Sequence, residues 1–413
     1  MVLIKPLQMT DYPLRAPPTL LRQAALRPWR DKNMHTANWS YPTAVRFGAG
    51  RIRELAETCR TAGIFRPLLV TDRGLVNLPF LHAIVDNLRA DGLEVSMFSD
   101  VDPNPTGDNL DAGVEAFRSG KHDGVVSVGG GSALDLGKLV GFMAGQRRPV
   151  WDFEDIGDWW TRADADAIAP NIAVPTTSGT GSELGRAGVL TRVDSQAKKI
   201  IFHPQVLPVA VIADPELAVS MPAWITAGTG MDAFAHCLEA LSSPHFHPMS
   251  HGIALEGLRL VNENLETAFQ EPNHLEARAN MMAAAMMGAV AFQKGLGAVH
   301  ALSHPIGGIY GTHHGTTNAV LIPAVLDLNR PAIEPMIERA CAYLGITGGF
   351  DGFRGRVEAL NAVLQIPTSL TALGLEQPDV DLIIAGALID PSCGGNPVAL
   401  DRQNLRAVLS ASL

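Results

Sequence analysis

Cysteine is scarce in this sequence: there are four in 413 residues, Cys59, Cys237, Cys341 and Cys393, far apart and without a CxxC pair. That spacing excludes a disulfide framework and suits a reducing compartment, so a cytoplasmic location is expected. An excess of basic charge is lacking as well. The formal net charge of −10 argues against a nucleic-acid partner, because phosphate binding needs a cationic surface. Long apolar runs are also missing. The longest, Met281 to Phe292, falls short of the roughly 20 residues of a membrane-spanning helix. It reads as a buried helix, and no membrane partner is expected. There is no internal repeat, and no secretory signal is expected.

What is present is an ordinary globular composition, 46% hydrophobic and 18% charged, too apolar for disorder. The length suggests two or three domains of roughly 150 residues each. Residues 1–33 stand apart, with Lys5, Arg15, Arg22, Arg27, Arg30 and Lys32 against Asp11 and Asp31, and four prolines between positions 6 and 18. A basic, acid-poor leader resembles a transit peptide. It lacks serine enrichment, and an upstream start before Met34 explains it equally well, so the segment is expected to be peripheral.

From Trp39 onward, β-rich runs alternate with helix-like stretches: LLVTD (68–72), LEVSMFSD (93–100), VVSVGGGS (125–132), NIAVPTT (171–177) and VAVIAD (209–214). Strands separated by helices imply parallel βαβ units, so residues 34–218 are expected to form an α/β domain with a parallel sheet. After Pro222 the chain turns to Ala-, Leu- and Met-rich helical spacing over 223–241, 248–268 and 275–292, with prolines at 244, 248 and 272 between the segments. An all-helical domain over 219–413 is expected.

Two features carry chemistry. In GTGMDAFAHCLEA, Asp232 and His236 stand four apart on one helix face, a spacing that can hold one metal ion and that alone is more often a surface hydrogen bond. Further on, His300, His304, His313 and His314 cluster among glycines. The second feature is VVSVGGGSALDLGK, a strand, a glycine turn and a helix. Backbone N–H groups and a helix N-terminus there can approach a pyrophosphate, although GGGS is not the GxGxxG fingerprint and also occurs as a plain tight turn. Asp72 closes a strand where an acid can bond ribose hydroxyls and repel a 2′-phosphate, which favours NAD over NADP.

Together, GMDAFAHCLEA, GLGAVHALSHPIGG and HHGTTNAVLIP, in that order, resemble the group III, iron-containing alcohol dehydrogenases, and the resemblance runs from about Trp39 to the C-terminus. It implies that Asp232, His236, His300 and His314 are metal ligands, with His314 chosen over His313 because the family's ligand directly precedes a glycine. One carboxylate with three imidazoles suits Fe²⁺ and would also accept Zn²⁺ or Co²⁺. It further implies cofactor contacts at Gly129, Gly130, Gly131, Ser132, Asn104, Asp135, Thr176 and Thr177. Lys198 or Lys199 also matches a family lysine, and Lys199 is taken as the cofactor residue. Lys138, in the same helix as Asp135, reads as a solvated helix residue.

The implied activity is hydride exchange between NAD(H) and a small alcohol or aldehyde, with His304 relaying the proton or else orienting His300. Ala187 and Phe292 are expected pocket residues. The segment from Phe292 to His300 is one residue shorter than the family pattern. Lys294 and Arg186 place two cations near the pocket, which points to a hydroxy acid or semialdehyde, unless Lys294 pairs with an acid or with cofactor phosphates. Rival readings are a maleylacetate reductase or a hydroxyacid–oxoacid transhydrogenase of the same superfamily, and more distantly a dehydroquinate-synthase-like lyase, which the Asp232-x3-His236 pair disfavours. The resemblance also implies a homodimer or larger homo-oligomer.

Overall fold

The computed structural model describes residues 37–39, 43–194 and 197–413, and the expectations placed on residues 1–33 lie outside them. Nine strands form: β1 (Ala37–Trp39), β2 (Ala44–Phe47), β3 (Pro67–Val70), β4 (Ser96–Phe98), β5 (Gly124–Gly129), β6 (Asn171–Pro175), β7 (Ala187–Arg192), β8 (Ala197–Phe202) and β9 (Ala210–Ala213). Seven of them make one sheet in the order β1-β2-β9-β6-β5-β3-β4, parallel throughout except for β1 against β2. β3, β5, β6 and β9 are buried along their whole length, as near-continuous apolar runs must be when helices cover both faces.

Side-chain alternation builds a core on each face. Leu69, Val126, Val128, Ile172 and Val174 pack with α1 (Leu55–Thr61) and α2 (Pro79–Ala90). Leu68, Val70 and Val125 pack with α3 (Gly107–Ser119) and α4 (Gly131–Met143). β7 and β8 form a separate antiparallel hairpin, in a stretch to which the periodicity assigns no element. Several expected strands are shorter than read: LLVTD stops at Val70, which leaves Asp72 in the following turn, and VVSVGGGS stops at Gly129, one residue before the cap of α4.

The second half is helical: α5 (Ala223–Ser242), α6 (Pro248–Gln270), α7 (Leu275–Ala291), α8 (Ala298–Tyr310), α9 (His314–Leu344), α10 (Gly349–Val363), α11 (Val380–Ile389) and α12 (Arg402–Ser412). Pro244 and Pro272 fall between helices and Pro248 opens α6, where its missing N–H costs nothing. The apolar run 281–292 is the buried body of α7, and no single helix among the described residues is long and apolar enough to cross a membrane. Met282 and Met286 of α7 pack on Val45, Phe47, Ala173 and Val211, so one core joins the sheet to the helices, and residues 35–413 form one unit.

Candidate metal and dinucleotide site

The cluster of donors begins on α5. Asp232 and His236 lie one turn apart, 2% and 5% exposed, on a helix that is apolar nearly all round. α8 supplies His300 and the start of α9 supplies His314. What brings α9 so close is Gly315: a Cβ there would stand 2.0 Å from the carbonyl oxygen of Gly228 and 3.0 Å from Asp232 Cβ. Only a glycine lets His314 sit beside Asp232 at this crossing. The neighbouring His313 turns the other way, with Nδ1 accepting from the Thr316 N–H at 3.4 Å and its ring edge-on to Trp224.

A single oxygen, Asp232 Oδ1, faces the Nε2 atoms of His314, His300 and His236 at 3.5, 3.7 and 3.8 Å. Donor atoms bonded at about 2.1 Å to one tetrahedral ion stand about 3.4 Å apart, so this donor set fits a divalent ion. Asp232, His300 and His314 each offer a donor atom within 4.8 Å of the others, and His236 stacks on His300 with ring centroids 4.7 Å apart. Electrostatics agree with the geometry. Burial works to raise the Asp232 pKa, but the His236, His314 and His300 imidazoles hold it well below the usual carboxylate range. Burial pushes His236 down to about 4 and His314 well below its ordinary value, which leaves neutral rings with lone pairs to offer.

Two supporting residues were not foreseen. Glu239, three residues beyond His236, binds His300 Nδ1 at 2.5 Å through Oε2 and the Val299 N–H at 2.7 Å through Oε1. Burial works to lower the His300 pKa, but Glu239 and Asp232 together outweigh it and push the imidazole up to about 9. Asn318, four residues beyond His314, donates from Nδ2 to Asp232 Oδ1 at 2.8 Å. Partners of this kind fix the tautomer and orientation of ligating groups. Glu239→Gln is therefore expected to weaken metal binding about 10–100-fold, measured by chelator competition; unaltered affinity would separate Glu239 from the site.

The glycine turn lies where chain order reverses in the sheet: β4 flanks one side of β3 and β5 the other. Ligands of open α/β sheets bind outside the strand carboxyl ends at such a point. Asp72 follows β3, its Oδ1 accepting the Gly74 N–H at 2.8 Å and the Leu75 N–H at 3.1 Å. Its Oδ2 stands 3.3 Å from where a Gly129 Cβ would be. Gly130 and Gly131 open α4, lying against Thr177 and Thr180, and Thr176 N–H bonds the Gly129 carbonyl at 3.0 Å. Ser132 Oγ donates to Pro103 O at 2.6 Å, which brings the half-buried Asn104 to the same rim.

Other expected residues are placed differently. Asp135 does not offer a free carboxylate to a cofactor: Ser182 Oγ and the Val189 N–H bond it, and Lys138 pairs with it at 3.1 Å. Lys138 is no solvated helix residue, being 2% exposed with its ammonium also bonded to the Ser182 and Ala187 carbonyls. Together they rivet α4 to the hairpin. Lys199 is turned away, paired with Glu154 at 3.0 Å. Strand alternation sends Lys198 to the opposite face, toward Gly307 of α8, where its charge acts on His314. Of the two, Lys198 faces the cluster.

Lys294 does not approach the cluster either, because its Nζ donates to Leu241 O at 3.0 Å, at the C-terminal end of α5, where carbonyls welcome a cation. Phe292 lies against His236 with ring centroids 5.1 Å apart, and Ala187 pairs with Phe202 on the hairpin face that carries Lys198. Arg186 is exposed, its guanidinium over Phe202 at 5.7 Å. His304 stacks on His314 at 5.4 Å and bonds Asp390.

A doubly covered parallel sheet with a glycine turn at its reversal point, beside a buried Asp–His₃ cluster, defines a metal-dependent, dinucleotide-linked oxidoreductase. The iron-containing alcohol dehydrogenase family model matches residues 42–215 and its C-terminal counterpart residues 226–413, and the chain belongs to this family. It is 39% identical over 385 residues to a 4-hydroxybutyrate dehydrogenase of Cupriavidus necator, covering 90% of this chain and 99% of that protein. Among solved structures it is similar to a 1,3-propanediol oxidoreductase, with TM-score 0.84 and 33% identity, covering 89% of this chain and 97% of the other. A sulfoacetaldehyde reductase from Bifidobacterium kashiwanohense in complex with NAD⁺ aligns with TM-score 0.82 and 28% identity, covering 91% and 98%. The protein is an NAD-linked, iron-type alcohol dehydrogenase.

Proposed function

We propose that this enzyme interconverts a small hydroxy acid and its semialdehyde, with Asp232, His236, His300 and His314 holding the divalent ion. The observation that carries the site is one carboxylate oxygen, Asp232 Oδ1, facing three imidazole nitrogens at 3.5–3.8 Å. When bound, the ion supplies Lewis acidity at the substrate oxygen, and the dinucleotide takes or gives the hydride. Glu239 orients His300, and Asn318 orients Asp232. The turn at Gly129, Gly130 and Gly131, with Ser132 and the start of α4, cradles the pyrophosphate, Asp72 bonds the ribose, and Asn104, Thr176 and Thr177 close the rim. Phe292 and Ala187 shape the pocket and exclude water from the reacting carbon. His304 takes the proton released from the alcohol.

The acidic substrate is supported by the name of the Cupriavidus relative and by Arg186 at the edge of the hairpin face that holds Ala187 and Lys198. A charged hydrogen bond is worth about 1.5–3 kcal/mol, so Arg186→Ala is expected to lower the kcat/KM ratio of 4-hydroxybutyrate to 1-butanol about 10–100-fold. Lys294→Ala should leave that ratio unchanged, since its ammonium is committed to Leu241 O. An unaltered ratio in Arg186→Ala would refute the role of the arginine, and a preference of the unmodified enzyme for 1-butanol would refute the acidic substrate. We further read residues 34–218 and 219–413 as two domains around the site, and the working form as a cytoplasmic homo-oligomer, the compartment being supported by four unpaired thiols.

A further inference from the structure

Asp390 follows the last residue of α11 and caps the short turn after it, 86 residues from His304 in sequence. Its Oδ1 accepts the Ser392 N–H at 2.8 Å, which fixes the carboxylate, and its Oδ2 lies 2.8 Å from His304 Nδ1. The two side chains are 12% and 22% exposed, buried enough for the contact to hold and open enough for a proton to reach water. A carboxylate can only accept, so Nδ1 must carry the hydrogen and Nε2 keeps its lone pair. The ring is held from both sides: it lies parallel to His314, with 12° between planes, and edge-on to His300 at 5.7 Å.

We propose that Asp390 is a positioning residue for this reaction, holding His304 in the one tautomer and orientation whose Nε2 can accept the alcohol proton. The proposal rests on the proton-accepting role given to His304 above. In oxidation the hydride leaves the substrate carbon for the nicotinamide and the hydroxyl proton passes to Nε2, while the Nδ1 hydrogen stays bonded to Asp390. Nε2 then gives its proton to water. Reduction reverses the order, with Nε2 returning a proton to the substrate oxygen.

Asparagine at 390 separates positioning from mere support. It keeps the size and the capping oxygen, but its amide can donate as well as accept, so it no longer selects a tautomer. Asp390→Asn is expected to lower kcat for alcohol oxidation about 10–100-fold, with KM values for alcohol and NAD within about twofold and bound metal per subunit unchanged. His304→Ala sets the scale. Residues that act as one unit are non-additive, so the double variant should be no slower than His304→Ala alone. If the asparagine variant is not recovered folded, Asp390→Ser, which retains an oxygen for the Ser392 N–H, repeats the measurement. An unchanged kcat, losses that multiply in the double variant, or metal content falling in step with kcat would each overturn the proposal. A slow His304→Ala beside a normal Asp390→Asn overturns it alone; a normal His304→Ala removes the role of His304 and this inference with it.

Discussion

Asp232→Ala is expected to lose its metal and at least about 1000-fold in kcat/KM, equivalent to about 4 kcal/mol of transition-state stabilisation. Asp232 brings the one carboxylate oxygen that faces all three imidazoles, and it is 2% exposed. Its removal reduces four donors to three imidazoles and takes the ligating negative charge from beside a buried divalent ion, a loss that a low-dielectric site tolerates poorly. It also removes the shortest of the Asn318 Nδ2 contacts, the 2.8 Å bond to Asp232 Oδ1. Metal analysis of the purified variant, with NAD-linked turnover at saturating alcohol, tests both parts. A variant that kept its ion and its rate would disprove the ligand assignment.

The second large effect falls at the other end of the reacting pair. Gly129 has φ +152, and a Cβ at that position would lie 2.7 Å from Ala133 Cβ and 3.3 Å from Asp72 Oδ2. Valine here therefore adds backbone strain of about 1–3 kcal/mol, pushes the first turn of α4 away from β5, and crowds the Asp72 carboxylate, proposed above to bond the ribose. A loss of about 2 kcal/mol in cofactor binding is roughly a 30-fold higher KM for NAD. Gly129→Val should show at least that rise, with metal content unchanged because the donors lie on α5, α8 and α9. If KM for NAD stays within threefold, the turn at 129–132 does not bind the pyrophosphate.

Much of this was legible in the sequence, and the parts that were not share a cause. Asp232 and His236 are one helical turn apart, and His300 and His314 stand in a run of glycines, so local spacing reveals them. Glu239 was within reach of the same logic: at i+3 from His236 and i+7 from Asp232 it shares their face of α5. Lys198 could have been separated from Lys199 had β8 been recognised, since adjacent strand residues point to opposite faces. The hairpin escaped because its strands mix charged and apolar residues on a half-buried surface, so their pattern is weak. Lys294 is close to His300 in sequence, but that proximity says nothing of which helix end its long side chain can reach. Asp390 could not have been found by spacing at all: 86 residues separate it from His304, and only the return of α11 to α8 brings them together.

The donors also come from three helices: α8 and α9 follow one another, while α5 is separated from them by α6 and α7, and the three meet only in the folded protein. An ion at their junction ties them as a crosslink would, so the free energy of binding is at the same time free energy of folding. At a free-ion concentration one hundred times the dissociation constant, this is worth about 2.7 kcal/mol. The melting temperature of this enzyme should accordingly depend on the concentration and identity of the metal in the buffer. Iron supply then governs how long each molecule survives as well as how fast it turns over.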